Sequence, residues 1–123
     1  MTLEVYDCEL CSQQIEETLE HIFLLCPFAT ACWLSLGLIV PQPGDCLAFL
    51  EHAKVMLNVP FFMEIIITML WSIWEVRNDA IFRNIAPSVT NCRRIFKKEF
   101  AWIIIGAKTS YHPFIDQWLE AFV

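Results

Sequence analysis

The fold at the start of this chain is decided by the stretch CELCSQQIEETLEHIFLLCP, residues 8–27, which carries Cys8, Cys11, His21 and Cys26. Two cysteines separated by two residues can turn both sulfurs toward one centre, and a histidine and a cysteine on the next segment complete a tetrahedron. Three thiolates and one imidazole suit Zn²⁺. Because four protein ligands leave no position open for water or substrate, we expect one structural zinc ion here.

Two other interpretations of these four residues remain open. The first is a set of free cysteines with an ordinary core histidine, since free cysteine is among the most buried residue types. The second is a disulfide, which the chain's beginning, MTLEVYDCEL, disfavours because it lacks the basic and apolar regions of a secretory signal peptide. We therefore expect an intracellular protein, in the nucleus or the cytoplasm, whose six cysteines stay reduced or bind metal.

The composition indicates an excess of apolar surface. Hydrophobic residues make up 57% of the 123 residues, against about 45–50% in typical soluble domains. The length suits one domain, or a small module with one helical domain. A chain of this size cannot bury so many apolar side chains, so we expect an exposed apolar patch that faces a partner, a membrane or a missing parent protein.

The net charge of −6 is unevenly distributed along the chain. Residues 1–70 carry −8 and residues 71–123 carry +2. Acidic surface repels phosphate, and phosphate contacts provide most non-specific nucleic-acid affinity. The charge therefore disfavours nucleic-acid binding by the N-terminal zinc knuckle alone.

Helical periodicity predicts a mainly α fold in which a small Cys3His zinc knuckle precedes a bundle of about four to five helices. We divide the chain into a zinc-knuckle module at 1–37, a linker at 38–45 that holds two prolines and a glycine, and a helical region at 46–123. The predicted helices cover 14–25, 27–37, 46–57, 61–85, 87–107 and a short segment after Pro113.

The helix predicted at 61–85 is the most apolar part of the chain. Its polar residues form a narrow stripe, which holds Thr68, Ser72, Glu75, Asp79 and Arg83. Its opposite side is apolar and holds Ile67, Leu70, Trp71, Trp74, Ile81 and Phe82. A membrane span needs about 20 apolar residues. Glu64 and Glu75 bracket only ten. We therefore favour a helix that is buried or faces a protein partner, and keep a membrane-associated segment at 59–74 as a weaker alternative.

Two further groups of residues admit a functional and a structural interpretation. The aromatic and polar helix face could contact a ligand or nucleic acid, but we favour a structural role in which Arg77 lies over an indole ring and a buried Asn78 bonds to neighbouring backbone; this face comprises Trp71, Trp74, Arg77, Asn78 and Phe82. The basic run could contact phosphates, although such runs are more often solvated helix faces; it comprises Arg93, Arg94, Lys97 and Lys98.

Known enzymatic signatures are missing from the sequence. It has only three glycines and no glycine-rich phosphate loop, and it has no serine-centred nucleophile motif. Cys11 and His21 could be regarded as a nucleophile and a base, but that pairing explains two residues where metal binding explains four. We expect no catalysis.

The motifs together resemble a known family. The pattern C-x2-C followed by EETLEHIFLLCPFA, residues 16–29, and by Trp33 is similar to the zinc-binding region at the C-terminal end of plant non-LTR (LINE-type) retroelement reverse transcriptases. The tract LWSIWEVRNDAIF, residues 70–82, resembles the helical stretch that follows it there. The resemblance spans about residues 5–85, and it implies zinc held by Cys8, Cys11, His21 and Cys26.

The resemblance also implies where the chain would belong. In that family the polymerase domain lies upstream, and an RNase H-like domain often lies downstream, so we interpret the chain as an isolated fragment of such a protein. Two functions follow. The first is a non-enzymatic zinc-binding module that contacts RNA or DNA in a parent retroelement protein. The alternative is a small helical interaction or regulatory protein that docks a protein partner through the apolar helices 61–85 and 87–107.

Overall fold

The computed structural model describes residues 7–8, 10–11, 15–40, 45–106 and 112–122, and these are almost entirely helical. The only β-type pairing among them is an isolated antiparallel bridge between Asp7 and Glu16. The predicted fold class, a small Cys/His cluster followed by a helical bundle, is therefore confirmed. In chain order the elements are a π-helical turn (His21–Leu25), α1 (Pro27–Leu34), α2 (Cys46–Leu57), α3 (Phe62–Phe82), α4 (Val89–Ile105) and α5 (His112–Phe122).

Local capping chemistry explains where several helices begin and end. Pro27 occupies the first turn of α1, where a missing amide hydrogen costs nothing. The Asp45 carboxylate accepts a hydrogen bond of 3.0 Å from the backbone N–H of Leu47 and so caps α2. Asn58 ends that helix in a left-handed conformation with φ 48°. The bounds predicted for α2 match the structure, whereas α3 and α4 are shorter than predicted.

The helix predicted at 14–25 is wrong in its first half. Gln14 lies outside the described residues, and residues 15–18 are not helical. The backbone of this segment pairs instead with the residues around the first cysteine, since Cys8 N–H donates to the Ile15 carbonyl at 2.8 Å. A backbone group engaged in this pairing is not available for a helix.

The buried hydrophobic residues form a single cluster that includes both predicted parts of the chain. Leu38 and Val40, in the predicted linker, are 1% and 7% exposed and belong to it, while residues 41–44 lie outside the described residues. The buried core therefore does not separate the two predicted parts, 1–37 and 46–123. Whether they fold as independent units stays a prediction. The cluster includes Ile22, Cys26, Trp33, Phe49, Met69, Ile73, Phe96 and Phe100.

The core-facing residues of the polar stripe of α3 are Thr68, Ser72 and Asp79, whereas Glu75 is half-buried and Arg83 is exposed. Thr68 and Ser72 are 1% and 0% exposed, and α3 packs most extensively against α4. Their hydroxyls donate to the carbonyls one turn earlier, from Thr68 to Glu64 at 2.6 Å and from Ser72 to Thr68 at 2.7 Å. Because these hydroxyls are satisfied within the helix, their burial costs little. Asp79 is also buried, and its carboxylate accepts a 2.8 Å hydrogen bond from Arg83.

The apolar side of α3 is correspondingly exposed. Ile67, Trp71 and Phe82 are 54%, 48% and 75% exposed. This apolar face of α3 borders an open groove of about 420 Å³ between α3 and the segment that leads into the π-helical turn. The groove is lined by Leu19, Phe23, Ile67, Leu70, Trp71 and Trp74. Part of the apolar excess in the composition is therefore exposed as one contiguous apolar surface along α3.

Candidate metal centre

Backbone pairing near the chain's start places the two cysteines of the CxxC motif beside the segment that carries the other candidate ligands. The bridge between Asp7 and Glu16 and the bond from Cys8 to Ile15 bring residues 7–8 alongside residues 15–16. The chain then reaches His21 five residues later. The antiparallel pairing therefore shortens the distance in space between residues that are thirteen apart in sequence.

The π-helical turn explains how His21 and Cys26 reach the same centre. In an α-helix, side chains five residues apart point about 140° away from each other. The wider π-turn closes an i→i+5 hydrogen bond, and here the Cys26 N–H donates to the His21 carbonyl at 2.7 Å. Cys26 is extended with ψ 134°, as the residue before a proline prefers. Both side chains can therefore face the cysteines of the CxxC motif.

The four side chains have the spacing of a tetrahedral metal site. Their ligand atoms all lie within 4.8 Å of one another. Cys8 Sγ is 3.8 Å from Cys26 Sγ, and Cys11 Sγ is 3.4 Å from His21 Nε2. A tetrahedral zinc ion with Zn–S of about 2.3 Å and Zn–N of about 2.0 Å separates two sulfurs by about 3.8 Å and a sulfur and a nitrogen by about 3.5 Å. The two distances from Cys8 to Cys26 and from Cys11 to His21 match these values, so the cluster could hold a metal ion.

Burial makes this cluster a closed site. Cys8, His21 and Cys26 are 5%, 5% and 0% exposed, and Cys11 is half-buried. Burial raises the pKa of the Cys8 thiol. It also raises the pKa of Cys26 to about 12, while the backbone amides of Ala29 and Phe28 at the start of α1 act in the opposite direction. The metal-free thiols of Cys8 and Cys26 are therefore protonated at neutral pH, and a bound cation would displace those two protons.

Zinc binding is expected to release at least about two protons per ion at pH 7–8, from Cys8 and Cys26. His21 adds none in this range, because burial lowers its pKa from an ordinary value of 6.5. The affinity should rise with pH, since protons compete with the metal for both thiolates, and the dissociation constant should fall about 100-fold per pH unit. Calorimetric titration in two buffers of different protonation enthalpy measures this number. Release of no protons would contradict the burial argument.

Trp33 holds the π-helical turn against the core. Its indole Nε1–H donates to the Phe23 carbonyl at 2.6 Å, and its ring packs edge-on against Phe49 with centroids 4.7 Å apart. Trp33 is fully buried. The backbone that carries His21 and Cys26 is therefore anchored to α1 and α2.

An ion pair joins the tract at residues 70–82 to the segment that precedes His21 of the metal cluster. Arg77 Nε donates to Glu17 Oε1 at 2.6 Å, and Arg77 Nη2 pairs with the same oxygen. The Arg77 guanidinium lies over the Trp74 ring, 4.5 Å from its centroid, as the sequence analysis predicts. Arg77 Nη1 donates to Asn78 Oδ1 at 2.9 Å, so the half-buried Asn78 bonds to a side chain where we expected backbone.

The remaining predicted residues lie elsewhere on the surface. Phe82 and Trp71 belong to the exposed apolar face of α3. On α4, Arg94, Lys97 and Lys98 are exposed and Arg93 is half-buried. Arg94 donates to Asn91 Oδ1 at 2.8 Å. Nucleic-acid contact through these four basic residues stays a prediction.

Two residues that support the site were not assigned a role from the sequence. Glu17 belongs to the motif at residues 16–29, but no spacing rule links it to Arg77, which is sixty residues away. Thr18 is the other, because its Oγ1 accepts a 3.1 Å hydrogen bond from the His21 N–H. A threonine immediately before the first helical residue, here Leu19, is a common N-cap signal that identifies such a residue.

No protein-family model, curated protein or solved structure matches this chain. The resemblance to retroelement reverse transcriptases therefore rests on the motifs alone.

Within the described residues, no single helix is long and apolar enough to cross a membrane. α2 and α3 meet the length and hydropathy requirements only as a pair, bent by 120° at the break between them.

Proposed function

We propose that this chain is a non-enzymatic zinc-binding module in which one Zn²⁺ ion has a structural role. The observation that carries the proposal is the convergence of Cys8, Cys11, His21 and Cys26 to within 4.8 Å of one another. Three thiolates and an imidazole favour zinc over harder cations such as Mg²⁺ and Ca²⁺, which prefer oxygen ligands. Four protein ligands in a closed site suit a structural ion and disfavour catalysis.

The zinc content of the purified protein tests this proposal. Native mass spectrometry is expected to find one zinc ion per chain in the wild type. Cys11→Ser should lose the ion, whereas Cys46→Ser should keep it, because Cys46 is exposed and lies outside the cluster. Absence of zinc from the wild type, or equal zinc content in both variants, would contradict the proposal.

The resemblance supports a more specific role for this module in a retroelement-derived protein, next to RNA or DNA. The basic residues of α4 are then the contacts that we propose for phosphate, and they are Arg93, Arg94, Lys97 and Lys98. Three of these side chains are exposed, as phosphate contact requires. The acidic N-terminal half makes the knuckle itself a poor partner for nucleic acid.

The exposed apolar face of α3 favours a second candidate function, protein–protein interaction. Ile67 and Trp71 project from it beside a groove that is lined entirely by apolar side chains. Contiguous apolar surface of this kind marks interaction sites. Salt separates the two candidates, since phosphate binding weakens steeply as salt rises and apolar docking does not.

A further inference from the structure

Glu17 occupies a special position beside the metal cluster. It lies four residues before His21, and its side chain is 11% exposed. Both contacts from Arg77 go to one carboxylate oxygen, Oε1. The other oxygen, Oε2, is buried and has no hydrogen-bond partner in the described part of the chain.

Arg77 holds the Glu17 carboxylate in one orientation. The guanidinium is itself fixed on two further sides, by the Trp74 ring at 4.5 Å and by Asn78 Oδ1 at 2.9 Å. A carboxylate held in this way cannot easily turn its second oxygen toward water. Buried polar atoms in folded proteins nearly always have a partner, so the free Oε2 calls for a donor that forms when the site is complete.

His21 supplies such a donor once a metal is bound. Its Nε2 faces the cluster, 3.4 Å from Cys11 Sγ. A neutral imidazole with Nε2 on a metal carries its proton on Nδ1, which becomes a donor. Histidine ligands usually donate this second N–H to a carboxylate, a carbonyl or water. Burial lowers the pKa of His21, and the negative charge of Glu17 acts in the opposite direction, as a neighbouring hydrogen-bond acceptor would.

We propose that Glu17 is a positioning residue of the metal centre, whose Oε2 accepts a hydrogen bond from His21 Nδ1–H while Arg77 holds Glu17 in place from α3. The inference rests on the proposed function, because the proton occupies Nδ1 only when Nε2 binds the metal. It joins the two tracts of the sequence into one unit. Loss of such a partner typically weakens metal binding 10–100-fold.

The test compares Glu17→Gln with Glu16→Gln, which removes the same charge from an exposed neighbouring side chain. Zinc dissociation constants are measured by competition with a chromophoric chelator at fixed pH. Glu17→Gln is expected to bind zinc about 10–100-fold more weakly than the wild type. Glu16→Gln should match the wild type, and equal constants for the two variants would overturn the inference.

A second measurement separates positioning from general destabilisation. In ¹⁵N NMR spectra of the zinc-loaded wild type, His21 should show a metal-bound Nε2 and a slowly exchanging Nδ1–H. In Glu17→Gln this proton should exchange faster, a change that loss of stability at a remote site would not produce. A fast-exchanging Nδ1–H in a wild type that binds zinc would overturn this inference alone, whereas a wild type without zinc would overturn the proposed function as well.

If Glu17→Gln does not fold, Arg77→Lys addresses the same contact. Lysine keeps the positive charge but lacks the planar guanidinium that contacts Glu17, Asn78 and the Trp74 ring together. Zinc affinity should fall several-fold. The control Arg83→Lys, on the same helix, alters the Asp79 pair and should leave zinc affinity unchanged. Equal affinities in the two lysine variants would overturn the inference.

Discussion

Substitution of Cys26 by serine is expected to unfold the N-terminal part of the molecule. Cys26 is 0% exposed and belongs both to the metal cluster and to the hydrophobic core. Zinc binding contributes about 10–16 kcal/mol in small zinc modules, comparable with the total stability of a domain, about 5–15 kcal/mol. We therefore expect the loss of this contribution to unfold the segment that carries the cluster.

Circular dichroism and tryptophan fluorescence, to which the buried Trp33 contributes along with four other tryptophans, measure this effect. The Cys26→Ser variant should lose helical signal, and its thermal transition should shift down by more than ten degrees or broaden beyond a single transition. A strong chelator should have the same effect on the wild type. Cys46→Ser provides the control, because this exposed cysteine begins α2 away from the cluster. A chelated wild type that melts like the loaded protein would show that the ion does not hold the fold.

The second large effect is expected at one of two adjacent positions of α3, where the same new residue should cost very different amounts of stability. Ser72→Glu should destabilise the protein by about 4 kcal/mol or more, because it places an unpaired carboxylate in a fully buried position. Trp71→Glu should cost about 1 kcal/mol or less, since Trp71 is 48% exposed. Both changes introduce glutamate into the same helix, and serine and tryptophan have similar helix propensities, so helix propensity nearly cancels from the comparison.

Urea unfolding of the two zinc-loaded variants tests this order. The sequence pattern by itself favours the reverse order, because serine lies in the polar stripe and tryptophan lies on the apolar side. A larger loss of stability for Trp71→Glu than for Ser72→Glu would mean that α3 is rotated, with its aromatic side in the core. The present assignment of the exposed apolar face would then be wrong.

Local signals predicted much of the candidate site. The spacing of Cys8, Cys11, His21 and Cys26 identified the same four side chains that converge in the structure. The helix predicted at 46–57 matches α2 residue for residue. These features depend on residues close in sequence, where turn geometry and capping act directly.

Contacts between distant residues were beyond reach of that reasoning. The ion pair of Glu17 with Arg77 joins segments sixty residues apart, and no spacing rule relates them. Leu38 and Val40 lie in a segment whose prolines and glycine indicate a linker, yet both are buried. Their burial depends on which surface the following helices leave free.

The sequence by itself determined the four candidate metal ligands, the helical class and the excess of apolar side chains. Tertiary structure alone decided which side of α3 faces the core. Periodicity separates the two faces of a helix but does not say which is buried, and here Thr68 and Ser72 satisfy their own hydroxyls within the helix and pack on the inner side. The aromatic side of α3 then faces solvent. This orientation depends on how the whole chain packs, which the periodicity of one helix does not contain.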